Sequence, residues 1–313
     1  MTTMTPKFRG IWTALVTPFT EADAVDRDAL AALVRDQLDA GVHGLVPCGT
    51  TGETATLTDA EQDTVITTCL DVVAGRIPVV AGAGANDTRK AIENHRRVAA
   101  LRAGPDRQYK VSGALHVTPW YNKPTQEGLY RHFRGVADSA DLPIILYNVP
   151  GRTGVDLLPD TIARLAKDEP KFVAVKEATG SVQRSQEVLN KLASVRPDFA
   201  VLSGDDGHIL SLLALGGDGV ISVTSHLCAR ELVQMVKAFD EGRLAEAQRL
   251  SRLTSPLSVT MFFRSNPIPV KTALAITGRG GGQIAARFRL PLCPLSDDEN
   301  TQLRKMLIAD GWL

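Results

Sequence analysis

Eight short apolar runs recur along the chain, each followed by a longer amphipathic stretch, and this alternation restricts the fold more than any other feature. The runs are IWTALVTP (11–18), HGLVPC (43–48), IPVVAG (77–82), GALHVTP (113–119), PIILYNV (143–149), FVAVKE (172–177), FAVLSG (199–204) and DGVISV (218–223). They are continuous rather than alternating, which suits strands covered on both faces, as in a parallel sheet. Residues 26–40 between them carry apolar side chains at three-to-four spacing and stop at Gly41. Residues 58–74 open on Thr58 with Glu61 three positions on, a capping box. Residues 125–138 repeat that opening with Thr125, but Gly128 stands where the acid belongs. Eight strand–helix units by about residue 225 predict an α/β fold, a (β/α)8 TIM barrel. An open doubly wound sheet is the alternative that element order leaves standing.

Beyond that point the pattern changes. Residues 226–277 and 296–310 read as helices with no strands between them. Residues 1–225 are therefore expected to form the barrel core. Residues 226–313 supply the eighth helix and a C-terminal helical extension, with no linker to make it an independent domain. The polar stretch LRAGPDRQYKVS (101–112) reads as a surface excursion with no assigned role.

Lys plus Arg and Asp plus Glu are 35 each, so nothing attracts the chain to nucleic acid or an anionic membrane. Cys48, Cys69, Cys228 and Cys293 are far apart and read as free thiols of a reducing compartment. The first residues lack a signal-peptide core, and no apolar stretch is long enough to span a bilayer, so the cytoplasm is expected. His43, His95, His116, His132, His208 and His226 form no ligand pair and are assigned to packing or surface. GAGAND (82–87) is not a dinucleotide fingerprint, and the acids of GDD (204–206) suit a helix cap better than a metal. Neither a metal nor an organic cofactor is expected.

In a barrel, chemistry sits where strands end. Lys176 closes the sixth run; burial opposes charge on a lysine, and a free amine is what attacks a ketone to form an imine. A lysine snorkelling at a strand end, or paired with Glu177, is the plainer reading of the same residue. Tyr147 ends the fifth run, where a phenol can pass protons or simply pack. Arg152, in the turn PGRTG, has the fork geometry that clamps a carboxylate, although a solvated loop charge looks the same. GTTGE (49–53) offers close backbone N–H groups and the hydroxyls of Thr50 and Thr51 to a small anion, without the lysine of a P-loop.

Individually weak, these signals gain weight from their order. GTTGE, VTPWYNKPTQEG (117–128), YNVPGRTG (147–154), VKEATG (175–180), SGDD (203–206), GVISV (219–223) and NPIPVK (266–271) resemble the dihydrodipicolinate synthase / N-acetylneuraminate lyase superfamily over roughly residues 10–310. The resemblance implies a barrel with a C-terminal helical region and a homotetramer built as a dimer of dimers. It implies condensation of pyruvate with L-aspartate-β-semialdehyde, without a cofactor. By position, Lys176 matches the imine-forming lysine. Tyr147, Thr51 and Tyr121 match a proton relay in which the second tyrosine is donated across a dimer interface. Thr50, Thr51 and adjacent amides match the pyruvate-carboxylate site, and Arg152 matches the arginine that binds the semialdehyde carboxylate. Gly204 and Ile221 match positions lining the site beside the lysine.

The sequence departs from the family where regulated members bind free lysine. Asp59 and Gln62 replace two histidines, Lys90 replaces a glutamate and Trp120 a tyrosine, while Asn86 is kept. Weak or absent inhibition by lysine follows. Two other functions fit the motifs less well: a pyruvate aldolase of the same superfamily using another aldehyde, and a non-catalytic keto-acid-binding barrel. Arg152 weighs against the first, and the joint presence of Lys176, Tyr147, Thr51 and Tyr121 against the second.

Overall fold

The computed structural model describes residues 8–313. Its strands are β1 (Gly10–Ala14), β2 (Gly44–Val46), β3 (Val80–Gly82), β4 (Gly113–Val117), β5 (Ile144–Asn148), β6 (Phe172–Glu177), β7 (Ala200–Ser203) and β8 (Gly219–Ser222). They join in the order β2-β1-β8-β7-β6-β5-β4-β3. A parallel bridge from Leu45 of β2 to Val79, one residue before β3, links the two ends of that order. The sheet is a (β/α)8 barrel, not the open doubly wound alternative. The continuous apolar runs have the predicted cause: β1, β2, β3, β5, β7 and β8 are buried along their whole length.

Every strand but β6 is shorter than the run that announced it. The first run leaves its strand after Ala14, and the third enters its strand only at Val80. Strand hydrogen bonding stops where the backbone turns outward, while apolar burial continues into the loops.

The helix signals act locally as predicted. The Asp26 carboxylate accepts from Ala29 N–H at the start of Arg27–Ala40, and Gly41 ends that helix in the left-handed region. Thr58 and Glu61 form the full capping box of Asp59–Val73. Thr125 accepts from Gly128 N–H, so Gln126–Ala137 starts on half a box. The C-terminal region is four helices, Ser225–Asp240, Leu244–Thr260, Ile268–Thr277 and Asp297–Ala309. The stretch expected to be helical over 226–277 is thus broken twice. The 101–112 segment folds back on itself through an antiparallel bridge between Ala103 and Tyr109, with the Gly104 N–H bonded to Asp71.

The chain forms two compact units. One holds residues 80–101 and 110–221 with residues 8–10. Its core includes Phe133, Ile144, Leu146, Phe172, Val175 and Val201. The other holds residues 11–79, 102–109 and 222–313. There Trp12 is fully buried across Gly44, where any Cβ would lie 2.2 Å from the indole. Among the described residues no helix is long and apolar enough to cross a membrane.

Candidate active site

Side chains at the ends of β5 and β6 make the first cluster. Tyr147 and Lys176 are register partners on these parallel neighbours, so both point to the same face. Both are buried, and the Lys176 ammonium nitrogen lies 4.4 Å from the centroid of the Tyr147 ring. Gly204, just past β7, has a positional reason: a Cβ there would reach Ala178 Cβ at 2.4 Å and Lys176 Cε at 3.1 Å. The Ala178 contact excludes a side chain there, and the lysine stem would be crowded as well. Ile221 is buried in β8.

Glu177 follows Lys176 on the strand and therefore points to the opposite face. Its carboxylate accepts from Asn148 Nδ2 at 3.1 Å and Thr179 N–H at 2.8 Å. Burial pushes its carboxyl above the ordinary range, with those two donors opposing. Asn148 also donates to Asp156 at 2.8 Å, and Asp156 is held by two Arg184 bonds of 2.8 Å each. Burial acts to raise the Asp156 carboxyl, but Arg184 and Asn148 hold it below its usual value. Glu177 thus belongs to a network beneath the strand ends and is not the partner of Lys176. Sequence reading missed Asn148, Asp156 and Arg184 altogether; the one available signal was an Asn closing a buried strand.

Arg152 lies exposed on the helical turn Pro150–Thr153, which Gly154 ends in the left-handed region. The Thr153 carbonyl accepts from Tyr121 N–H at 3.1 Å, tying the loop after β4 to that turn. Asn86 and Asn122 brace the same loop reciprocally, Asn86 donating to Trp120 O at 3.3 Å and Asn122 to Asn86 O at 3.0 Å. Tyr121 has φ of +76° and is 88% exposed. A non-glycine residue there costs about 1–3 kcal/mol, so this aromatic is held out into solvent against its own preference.

The GTTGE loop, in the other unit, is built from two tight turns, Gly52 N–H to Gly49 O and Glu53 N–H to Thr50 O, both 3.1 Å. Thr17 donates to Gly52 O at 2.7 Å. Thr50 is half-buried and Thr51 buried. The Thr51 hydroxyl oxygen accepts from Asn266 Nδ2 at 2.9 Å. Two residues on, Glu53 Oε1 meets Lys271 Nζ at 2.7 Å, with both side chains sealed from solvent. The ammonium also faces the rings of Phe19 at 4.2 Å and Phe288 at 5.1 Å. Burial pushes Lys271 down to about 8, with Glu53 pulling the other way. Arg289 closes the cluster, its backbone N–H reaching Glu53 at 3.3 Å and its guanidinium holding Glu61, Asp23 and Thr56 O. The Arg289 contact holds the Glu61 carboxyl down to about 2. Neither Asn266 nor Lys271 was singled out from sequence except as letters of a motif.

Asp205 accepts from Gly207 N–H and caps the turn after β7. His95, His116, His132 and His226 are buried, with His95 and His116 3.1 Å apart. Cys48, Cys69, Cys228 and Cys293 are free, the last exposed. Among the described residues no group of His, Cys, Asp and Glu is arranged to hold a metal ion.

The parallel (β/α)8 barrel thus holds a buried lysine near the end of β6 over the ring of a tyrosine near the end of β5. The model of the dihydrodipicolinate synthetase family matches residues 7–310, and the chain belongs to that family. It is 50% identical over 307 residues to the 4-hydroxy-tetrahydrodipicolinate synthase of Nitratidesulfovibrio vulgaris, covering 98% of this chain and all of that one. The dihydrodipicolinate synthase of Thermotoga maritima superposes with a TM-score of 0.91 at 40% identity, covering 98% of this chain and all of that one. The enzyme of Cyanidioschyzon merolae with lysine bound gives 0.90 at 39% identity, with coverage of 98% and 100%.

Proposed function

We propose that this chain is a 4-hydroxy-tetrahydrodipicolinate synthase, condensing pyruvate with L-aspartate-4-semialdehyde on the route to diaminopimelate and lysine. The observation that carries the reading is the pairing of buried Lys176 with Tyr147 at adjacent strand ends in a chain of this family.

The Lys176 amine attacks C2 of pyruvate, and loss of water gives an imine. The imine withdraws electrons, so the pyruvate methyl gives up a proton and an enamine forms. Its carbon attacks the semialdehyde carbonyl, making the new C–C bond. The semialdehyde's own amine then adds at C2 and expels the Lys176 amine, which closes the ring. Each proton movement needs a shuttle, the role assigned to Tyr147, Thr51 and Tyr121. Thr50, Thr51 and the turn amides receive the pyruvate carboxylate, Arg152 receives that of the semialdehyde, and Gly204 and Ile221 line the space beside the lysine. The exposed, strained Tyr121 supports a site completed by a second copy, and a homotetramer, a dimer of dimers, is the assembly proposed. Its workplace is the cytoplasm, where pyruvate is available.

The test follows turnover of the two substrates by coupling to the NADPH-dependent reductase of the product, with Lys176→Ala alongside. Borohydride with pyruvate reads the imine directly as added mass. Turnover and mass gain in the wild type, and neither in the variant, is the expected result. Mass gain without turnover of this semialdehyde would move the assignment to another aldehyde, and no mass gain would leave only the fold.

A further inference from the structure

We propose that Asn266 is a positioning residue that fixes the polarity of the Thr51 hydroxyl. The inference rests on the role given to Thr51 above. An amide nitrogen only donates, so the 2.9 Å bond from Asn266 Nδ2 makes Thr51 Oγ1 an acceptor and takes one of its two lone pairs. The Thr51 proton must then point away from Asn266. A hydroxyl free to rotate offers its proton in any direction; this one enters a proton chain with donor and acceptor sides already set.

The surroundings allow little slack. Asn266 and Thr51 are both buried, so water does not compete for the bond. Threonine is branched at Cβ and stiff about χ1. The loop beneath it is closed by its own turns and by Thr17. Asn266 and Lys271 belong to one short segment, and they grip Thr51 and Glu53, two positions apart on the loop. The Lys271 contact already anchors the loop. The Asn266 contact, side chain to side chain, orients one hydroxyl. The charged groups beside the pair, Glu53, Lys271 and Arg289, are engaged with one another and are common to wild type and variant.

Asn266→Asp tests this, since it keeps the shape and reverses the polarity. The new carboxylate only accepts, so the Thr51 proton turns toward it and leaves the chain. The kcat at pH 8 should fall about 100-fold, the scale of losing one general acid–base step. The mass gain with borohydride should persist at saturating pyruvate. The deficit should shrink as pH falls, because a protonated carboxyl donates again, whereas Asn266→Ala should show a deficit independent of pH. Thr51→Val combined with Asn266→Asp should be no slower than Thr51→Val alone. Wild-type kcat in Asn266→Asp, a deficit constant with pH, or losses that multiply in the double variant would each overturn the proposal. Should Asn266→Asp fail to fold, Asn266→Ala with and without Thr51→Val puts the same question through multiplication of losses. Full activity in Thr51→Val would instead sink the assigned role of Thr51, a separate failure.

Discussion

Replacing Lys271 by methionine keeps the length of the stem and deletes the ammonium. In the folded protein that ammonium sits 2.7 Å from Glu53, with the two side chains 0% and 1% exposed. No solvent reaches the carboxylate left behind, and its remaining bond, from Arg289 N–H, is a long 3.3 Å. Stranding one member of a buried pair costs about 3–5 kcal/mol. With an unfolding entropy of about 2.1 cal/mol/K per residue, 313 residues lose one degree of Tm for about every 0.7 kcal/mol. Lys271→Met should therefore unfold about 4–8 °C below wild type. Glu53→Gln with Lys271→Met should recover most of that loss, because two neutral groups leave no orphaned charge. The assay is scanning calorimetry at one fixed protomer concentration, since association would otherwise shift the transition. A single variant within one or two degrees of wild type, or a double variant no better than the single, would refute the reasoning: the pair would then be replaceable packing and not the anchor of the GTTGE loop.

Acid should destabilise the protein before its carboxylates titrate. Burial holds His95, His132 and His226 at about 4, below the ordinary 6.5. The unfolded chain then takes up protons that the folded one refuses, so stability is full above about 6.5 and falls as pH drops toward 4. His226 shows why: it accepts from Val16 N–H at Nε2 while its other nitrogen bonds Val223 O, which leaves no place for a second proton. Urea midpoints across this window should fall less steeply in His226→Gln, and an unchanged slope would refute the assignment. Arg152→Ala should raise the KM for the semialdehyde about tenfold or more while leaving that for pyruvate near wild type, which initial rates with each substrate varied would check. Free lysine should inhibit weakly or not at all, because Lys90 offers a cationic ligand a like charge; half-inhibition at sub-millimolar lysine would contradict this.

The barrel was legible because a strand covered on both faces must be apolar at successive positions, and eight such runs in alternation with helices leave few alternatives. Caps were legible because they act over three residues, as Thr58 with Glu61 does. The strand ends were less so: residues 15–18 stay buried after the first strand is over. The supports of the site were not legible at all. Glu53 and Lys271 are 218 positions apart, Thr51 and Asn266 215, and nothing local to either partner announces the other. Glu177 was weighed as a partner of Lys176 because they are adjacent in sequence. Adjacency in a strand is what separates them, since consecutive side chains leave on opposite faces.

That alternation sets two buried lysines in different surroundings. Lys271 is neutralised by a carboxylate at 2.7 Å and can only be an anchor, because its charge is what holds Glu53 in place. Lys176 is also buried, yet the acid next to it is turned away and occupied by Asn148 and Thr179. Among the described residues no ion pair joins Lys176 to an acid; it faces the Tyr147 ring instead. A carboxylate at that point would bind the ammonium form and withhold the lone pair that attacks a ketone. An aromatic face draws an ammonium more weakly than a carboxylate does. On this argument Tyr147→Glu should abolish imine capture by borohydride even where the chain folds, whereas Tyr147→Phe, which keeps the ring and loses the hydroxyl, should still form the imine and fail at the later proton transfers. Equal mass gain in both variants would show that the ring is not what keeps Lys176 available.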